Sequence, residues 1–285
     1  MKPNQQKPKP LGYVDLPNGP KAIFPMNDIF LAYSFDQKEQ WEILRLIINI
    51  LIAAYLQVCV TSKLKPITGK IKVQTQFKYF LDTNWKDTRE QDIKLSEEDF
   101  LATYIEFQNR ANVDPPVEIR SVDYLGLGIV HGKGKLTNQI WLLAEDVKSV
   151  TQENKFARYI LADEQTGNEH PINSGILYIN LPKLAQENSP AGELAEFLLG
   201  KTTNPKNKDV RKIARAFSKT FGVFKQDKEA TKVLSFRDRN RKEASYDTLN
   251  KIEELVNNGL SLEDAFQKVR EETSLQFNSL VAENS

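Results

Sequence analysis

The chain has 285 residues, 39 Lys and Arg against 38 Asp and Glu, and a formal net charge of +1, a balance that conceals a strongly basic stretch near the C-terminus. This length can bury a substantial core, and one larger domain with a smaller helical tail is expected rather than two independent domains. Cys59 is the only cysteine, which excludes internal disulfides and a Cys-rich zinc site; His131 and His170 are too few and too isolated for a His-x-x-x-His metal site and read as surface or loop residues.

Residues 1–20 are rich in Lys, Pro, Gln and Gly and lack an apolar run, so they are no secretory signal; a flexible lead-in is expected, with the cytoplasm as compartment. Residues 43–60 are of membrane-spanning length but carry Arg45, Asn49 and Gln57. Placing Arg45 at the centre of a bilayer would cost about 2.5 to 3.5 kcal/mol, so a buried core helix packed on two sides is expected and no membrane partner. From 68 to 82, Ile71, Val73, Phe77, Tyr79 and Leu81 fall at every second position, broken by Thr75, which predicts a strand.

Two short strands are predicted over 91–95 and 103–108. Side chains alternate across a strand, so Asp92 and Lys94 share one face of the first, and Glu106 and Gln108 one face of the second. The apolar Ile93, Leu95, Ile105 and Phe107 take the opposite faces. Paired as a hairpin, the strands would bring two carboxylates and two polar side chains together, a set of oxygen ligands suited to Mg²⁺ or another divalent cation. Asp82, at the end of the preceding strand, is the rival carboxylate to Asp92.

Pro115-Pro116 bars a helix or central strand there, and a helix is predicted from about Val117 or Ile119. It carries Arg120 and Tyr124 four apart on one face, either reaching a phosphate or buttressing the carboxylates, or else forming a plain surface pair. His131-Gly132-Lys133-Gly134-Lys135 lacks the Ser/Thr and following helix of a phosphate loop and reads as a turn into a strand at 138–144. Lys133 and Lys135 on that turn are secondary candidates for a nucleic-acid backbone.

Residues 156–162 and 175–181 read as a further hairpin, and Ser189, Pro190 and Glu193 open a helix that stops at Gly200. From 201 to 242, fourteen Lys and Arg face four Asp and Glu, a local excess of ten positive charges. Val210, Ile213, Ala214, Phe217, Phe221 and Phe224 form an apolar stripe at helical spacing. The segment could dock this stripe and present Arg211, Lys212, Arg215 and Lys219 to a polyanion; solvated helix charge is the other reading. Residues 244–272 read as two helices broken at Asn257-Asn258-Gly259, with Ser261 and Asp264 starting the second. Such a tail packs on itself and is also compatible with a homodimer.

Asp92-Ile93-Lys94, then Ile105-Glu106-Phe107-Gln108, then Arg120-Ser121-Val122-Asp123-Tyr124 together resemble the PD-(D/E)XK nuclease-type transposases, the recombination-promoting nuclease family. Asn27-Asp28-Ile29-Phe30, the strand at 139–143 and Ile176 to Leu184, similar to a late strand ending in Leu-Pro-Lys, extend the resemblance over about residues 24 to 200. It implies an α/β, restriction-endonuclease-like mixed sheet flanked by helices over 21–200, with a basic and helical C-terminal region over 201–285. It also implies a divalent-metal-dependent endonuclease acting on DNA. Asp92 and Glu106 would hold Mg²⁺ with the main-chain carbonyl of Phe107, Gln108 would orient water or a phosphate oxygen, and Lys94 would supply positive charge. Gln108 stands where the wider superfamily has a catalytic Lys. The alternative is a catalytically inactive protein of the same fold that binds nucleic acid or another partner.

Overall fold

The computed structural model describes residues 13–14, 22–23, 25–60, 62, 64–75, 93–97, 102–108, 116–131, 137–168, 170, 174–228, 230, 251–252, 255–256, 260–261, 264 and 268–269. The chain forms two compact units, Met1–Val233 and Leu234–Ser285. In the first, strands β1 (Tyr13–Val14) and β2 (Ala22–Ile23) make a short antiparallel ladder, so two residues of the expected lead-in are paired.

Helix α1 (Asp28–Asp36) begins where the Asn27 side chain accepts from the Phe30 N–H at 2.9 Å, satisfying one of the donors left open at a helix start. Helix α2 (Trp41–Val58) follows after one 3₁₀ turn, Lys38–Gln40. Its length and composition would let it cross a membrane. Its apolar residues are instead spent on a buried stripe: Ile43, Leu44, Ile47, Ile48, Leu51, Ile52 and Tyr55 repeat at three- and four-residue spacing. That stripe packs on two sides as expected, against the sheet and against helices later in the chain, while the outer flank stays open, with Leu46, Ile50 and Leu56 half-buried and Val58 64% exposed. Asn49 on its flank grips the returning chain, its amide donating to the Ile67 carbonyl at 2.8 Å and accepting from the Ile67 N–H at 2.7 Å.

The core is a mixed six-stranded sheet in the order β3-β4-β5-β6-β8-β7. Its strands are β3 (Ile71–Thr75), β4 (Ile93–Glu97), β5 (Ala102–Gln108), β6 (Thr137–Leu143), β7 (Phe156–Ile160) and β8 (Gly175–Asn180). β3, β4 and β5 pair antiparallel, β5, β6 and β8 are parallel, and β7 closes the far edge antiparallel to β8. The predicted β4–β5 and β7–β8 hairpins are therefore both formed.

Alternation gives this sheet two different faces. Ile93, Ile105, Phe107, Ile140, Leu142, Leu177 and Ile179 are buried on one. Against that face lie α1, whose Asp36 accepts from Thr75 Oγ1 at 3.3 Å, and α2, whose Tyr55 meets Phe156 edge-on at 5.8 Å. The other face carries Tyr104, Glu106 and Gln108 of β5, Gln139, Trp141 and Leu143 of β6, and Ile176 and Tyr178 of β8. Helix α3 (Val117–His131) covers it; Val117, Tyr124 and Leu125 join Trp141, Leu143, Ile176 and Tyr178 in one apolar cluster.

After β6 comes one helical turn, α4 (Lys148–Thr151), and β8 runs into another, α5 (Leu181–Leu184). The expected strand ending in Leu-Pro-Lys thus stops at Asn180. The Asn180 side chain accepts from the Lys183 N–H at 3.1 Å as a helix cap, and Pro182 cannot donate to a ladder. Helix α6 (Pro190–Leu198) starts as predicted, with Ser189 Oγ accepting from the Gly192 N–H at 3.1 Å, and Gly200 follows it in the left-handed region at φ 68°. Gly192 is obligatory for space, because a Cβ there would sit 2.0 Å from the Glu187 carbonyl oxygen.

Helix α7 (Lys208–Phe224) is capped by Asn207, whose side chain accepts from Asp209 and Val210. The Glu193 carboxylate ties its approach to α6 by accepting from the Lys206 and Asn207 N–H groups at 2.6 and 2.8 Å. Its apolar side packs on α1, α2 and α6; Phe217 meets Phe30, Phe35 and Phe197 edge-on at 5.6, 6.0 and 5.6 Å. In the second unit, Ile252 and Val269 are buried with Leu255 and Leu260 beside them, and Ser261 Oγ accepts from the Asp264 N–H, the predicted helix start.

Candidate active site

Glu106 sits on the central strand β5 beneath the α3 layer and is 3% exposed. A carboxylate this deep is costly unless it is hydrogen-bonded or bound to a cation. Two residues on, Gln108 lies on the same face, and its Nε2 donates to Glu106 Oε2 at 3.2 Å. Gln108 Oε1 in turn accepts from Arg120 Nη2 at 2.9 Å. Three side chains thus form one line, from the first turn of α3 through Gln108 to the buried carboxylate.

The chain builds this line locally and across the sheet. The Pro116 carbonyl accepts from the Ile119 and Arg120 N–H groups at 3.1 Å each, which starts α3 so that Arg120 and Tyr124 share the face toward β6. Both rest on Trp141: the Arg120 guanidinium lies 5.7 Å from its ring centroid and the Tyr124 ring 5.8 Å. The two residues therefore pack side by side on a buried tryptophan and do not form a surface pair. Trp141 pairs in register with Glu106, and its Nε1 donates to Gln139 Oε1 at 2.9 Å. Arg120 Nε and Gln139 Nε2 are buried without a hydrogen-bond partner among the described residues.

A second clamp holds α3 to the sheet: the hydroxyls of Ser121 and Tyr178 are hydrogen-bonded, both buried. Burial pushes the Tyr178 hydroxyl up to about 12, against a smaller opposing effect of the Ser121 bond. On β4, Lys94 pairs with Tyr104 and its ammonium lies 5.7 Å from the tyrosine ring centroid, on the face of Glu106. Lys72 and Gln74 of β3 are exposed on this same face beyond the cover of α3, a location that sequence reading did not single out.

Asp92 lies outside the described residues, as do Asp82, Lys133 and Lys135. The nearest described pair is Ile93 with Ile105, the sequence neighbours of Asp92 and Glu106. Phe107 turns its side chain into the opposite, apolar face and is 3% exposed. Among the described residues, no group of three or more His, Cys, Asp and Glu side chains is placed to hold a metal ion.

The basic residues of α7 are not part of this cluster. Arg211, Lys212, Arg215 and Lys219 are all exposed, but α7 belongs to the helix layer on the other face of the sheet, packed on α1 and α2. Arg211 also has an internal task, donating from Nε to the Pro205 carbonyl at 3.2 Å and from Nη2 to the Lys206 carbonyl at 2.7 Å. Lys212 borders an open cleft of ≈ 380 Å³ with Glu42, Arg45, Asn49 and Thr68.

Gln139 and Trp141 escaped the sequence reading as site residues. Their link to Glu106 depends on β5 and β6 pairing in parallel across the intervening helix, and no local pattern encodes that register. Comparison of the chain with protein-family models, curated proteins and solved structures returns no match.

Proposed function

We propose that the protein is a divalent-metal-dependent DNA endonuclease related to the PD-(D/E)XK nuclease-type transposases, with a restriction-endonuclease-like core. The observation that carries this reading is the buried Glu106 carboxylate, held by Gln108 and Arg120 on the strand that pairs with β4. In this reading Asp92 and Glu106 supply the oxygen ligands, and Mg²⁺ bound there would lower the pKa of its water and neutralise charge on the scissile phosphate. Lys94 shares the face of Glu106 and offers a positive charge to the phosphate as it becomes more negative. The mixed sheet with helices on both faces and the β4–β5 hairpin are consistent with the family resemblance of the sequence.

The test is nicking of supercoiled plasmid with and without Mg²⁺, comparing the protein with Asp92→Ala and Glu106→Ala. Both substitutions should abolish cleavage. Undiminished cleavage by either one would overturn the site.

One observation favours a second reading, a nucleic-acid-binding protein without catalysis. The exposed cations of α7 lie in the layer on the far side of the sheet from Glu106, so binding there needs no reaction at the carboxylate. Duplex binding that persists in both carboxylate variants, with no cleavage by the parent protein under any divalent cation, would decide for this reading.

A further inference from the structure

We infer that Arg120 is a positioning residue: it fixes the Gln108 amide, which holds the Glu106 carboxylate, and its guanidinium serves the protein interior and not a nucleic-acid backbone. The inference rests on the reading of Glu106 as a divalent-cation ligand. The donor and acceptor inventory gives the line a direction. A guanidinium can only donate and an ionised carboxylate can only accept, so the residue between them must accept at one end and donate at the other. Gln108 does both, with Oε1 toward Arg120 at 2.9 Å and Nε2 toward Glu106 at 3.2 Å. Turning the amide over would set donor against donor and acceptor against acceptor, so the two neighbours choose its orientation.

This chemistry explains the glutamine. A lysine at 108 could donate to Glu106 but would face Arg120 with a second positive charge and no acceptor. A glutamate there could accept from Arg120 but would set a second negative charge against Glu106. Arg120 is itself held: it leaves the first turn of α3, donates from Nη2 to Gln108 Oε1 at 2.9 Å and stacks its guanidinium on Trp141 at 5.7 Å. A phosphate contact would have to compete with both.

The experiment uses the full chain and four proteins: the parent, Gln108→Lys, Arg120→Gln, and the pair Gln108→Lys/Arg120→Gln. The pair keeps the net charge and exchanges the positions of cation and amide. Mn²⁺ alone is the probe, titrated by calorimetry, with thermal unfolding in parallel. Each single substitution is expected to weaken Mn²⁺ binding by about 10- to 100-fold, the usual effect of removing a partner that orients a metal ligand, and to lower Tm. The pair should recover most of both losses.

Losses that add in the pair would overturn the inference. So would an Arg120→Gln protein with unchanged Mn²⁺ affinity and Tm whose duplex binding drops about 0.9 from its salt slope, the mark of a phosphate contact. If the parent neither binds Mn²⁺ nor nicks plasmid, the nuclease reading fails separately. The Tm values then decide: recovery in the pair supports the positioning line and additive loss refutes it. Should Gln108→Lys not fold, Gln108→Met and Arg120→Met replace the exchange; losses smaller together than their sum support the line, and strict additivity refutes it.

Discussion

Replacing Lys212, Arg215 and Lys219 together by Gln tests whether the basic side of α7 is a nucleic-acid surface or solvated charge. The three are exposed and spaced three and four residues apart, so they form one stripe of the helix. Seven residues at about 1.5 Å each give about 10.5 Å of helix axis. One DNA strand places a phosphate about every 3.4 Å, so the stripe can meet up to about three phosphates, and each phosphate that the variant no longer neutralises should change the slope of log K against log salt by about 0.9. The expected change is therefore up to about 2.7, alike for unrelated duplex sequences, read by fluorescence anisotropy over a salt series. Arg211 is left in place because it holds the Pro205 and Lys206 carbonyls. The triple variant should unfold within about 0.5 kcal/mol of the parent, since the changed groups are exposed. Phe217→Ala, on the buried side of the same helix, should cost about 3 to 5 kcal/mol. An unchanged affinity and salt slope in the triple variant would show that this charge is solvated surface. The nucleic-acid path would then be sought at Lys72 and Lys94 on the Glu106 face, and at Lys133 and Lys135.

Tyr178 should give the fold an alkaline limit. Burial raises its hydroxyl from the ordinary 10.0 to about 12, so above pH 10 the unfolded chain releases a proton that the folded one keeps. Its contribution is fully present below about pH 10 and is lost toward pH 12 at about 1.4 kcal/mol per unit; urea unfolding from pH 8 to 11 should show the fall begin in the parent and be smaller in Tyr178→Phe. Gly192→Ala should destabilise by about 1 to 3 kcal/mol or more, because the new methyl group meets a fixed carbonyl oxygen and no flexible side chain; a urea midpoint equal to that of the parent would refute the packing. Asp82→Ala should leave most cleavage while Asp92→Ala removes it, and the reverse pattern in plasmid assays would mean that the carboxylate strand has been misassigned.

Local chemistry made much of this fold legible. The Ser189–Pro190 start of α6, the apolar stripe of α7 and the two hairpins rest on capping, periodicity and short-range pairing, all of which are written within a few residues. Alternation also put Glu106 and Gln108 on one face, but it could not say that the face is covered. That cover depends on α3 folding back over β6, and with it came the burial of Glu106, the tryptophan under Arg120 and the role of Gln139. The charge excess after residue 201 was plain as composition, whereas the layer to which its α7 part belongs followed only from the packing of Phe217 against α1 and α6. Hydropathy overstated α2, since an apolar residue half-exposed at the helix flank counts the same as one in the core. At Leu181–Leu184 the apolar run looked like more strand, and a buried asparagine with a proline behind it ended the strand instead.

The most direct measurement is Mg²⁺-dependent nicking of supercoiled plasmid by the purified full chain beside the double variant Asp92→Ala/Glu106→Ala, with circular dichroism confirming that both are folded. The proposed function predicts conversion to the open circle by the parent only when Mg²⁺ is present, and none by the variant. Equal nicking by the two folded proteins would contradict the carboxylate site, and a parent that binds duplex but leaves it intact under every divalent cation would contradict the nuclease.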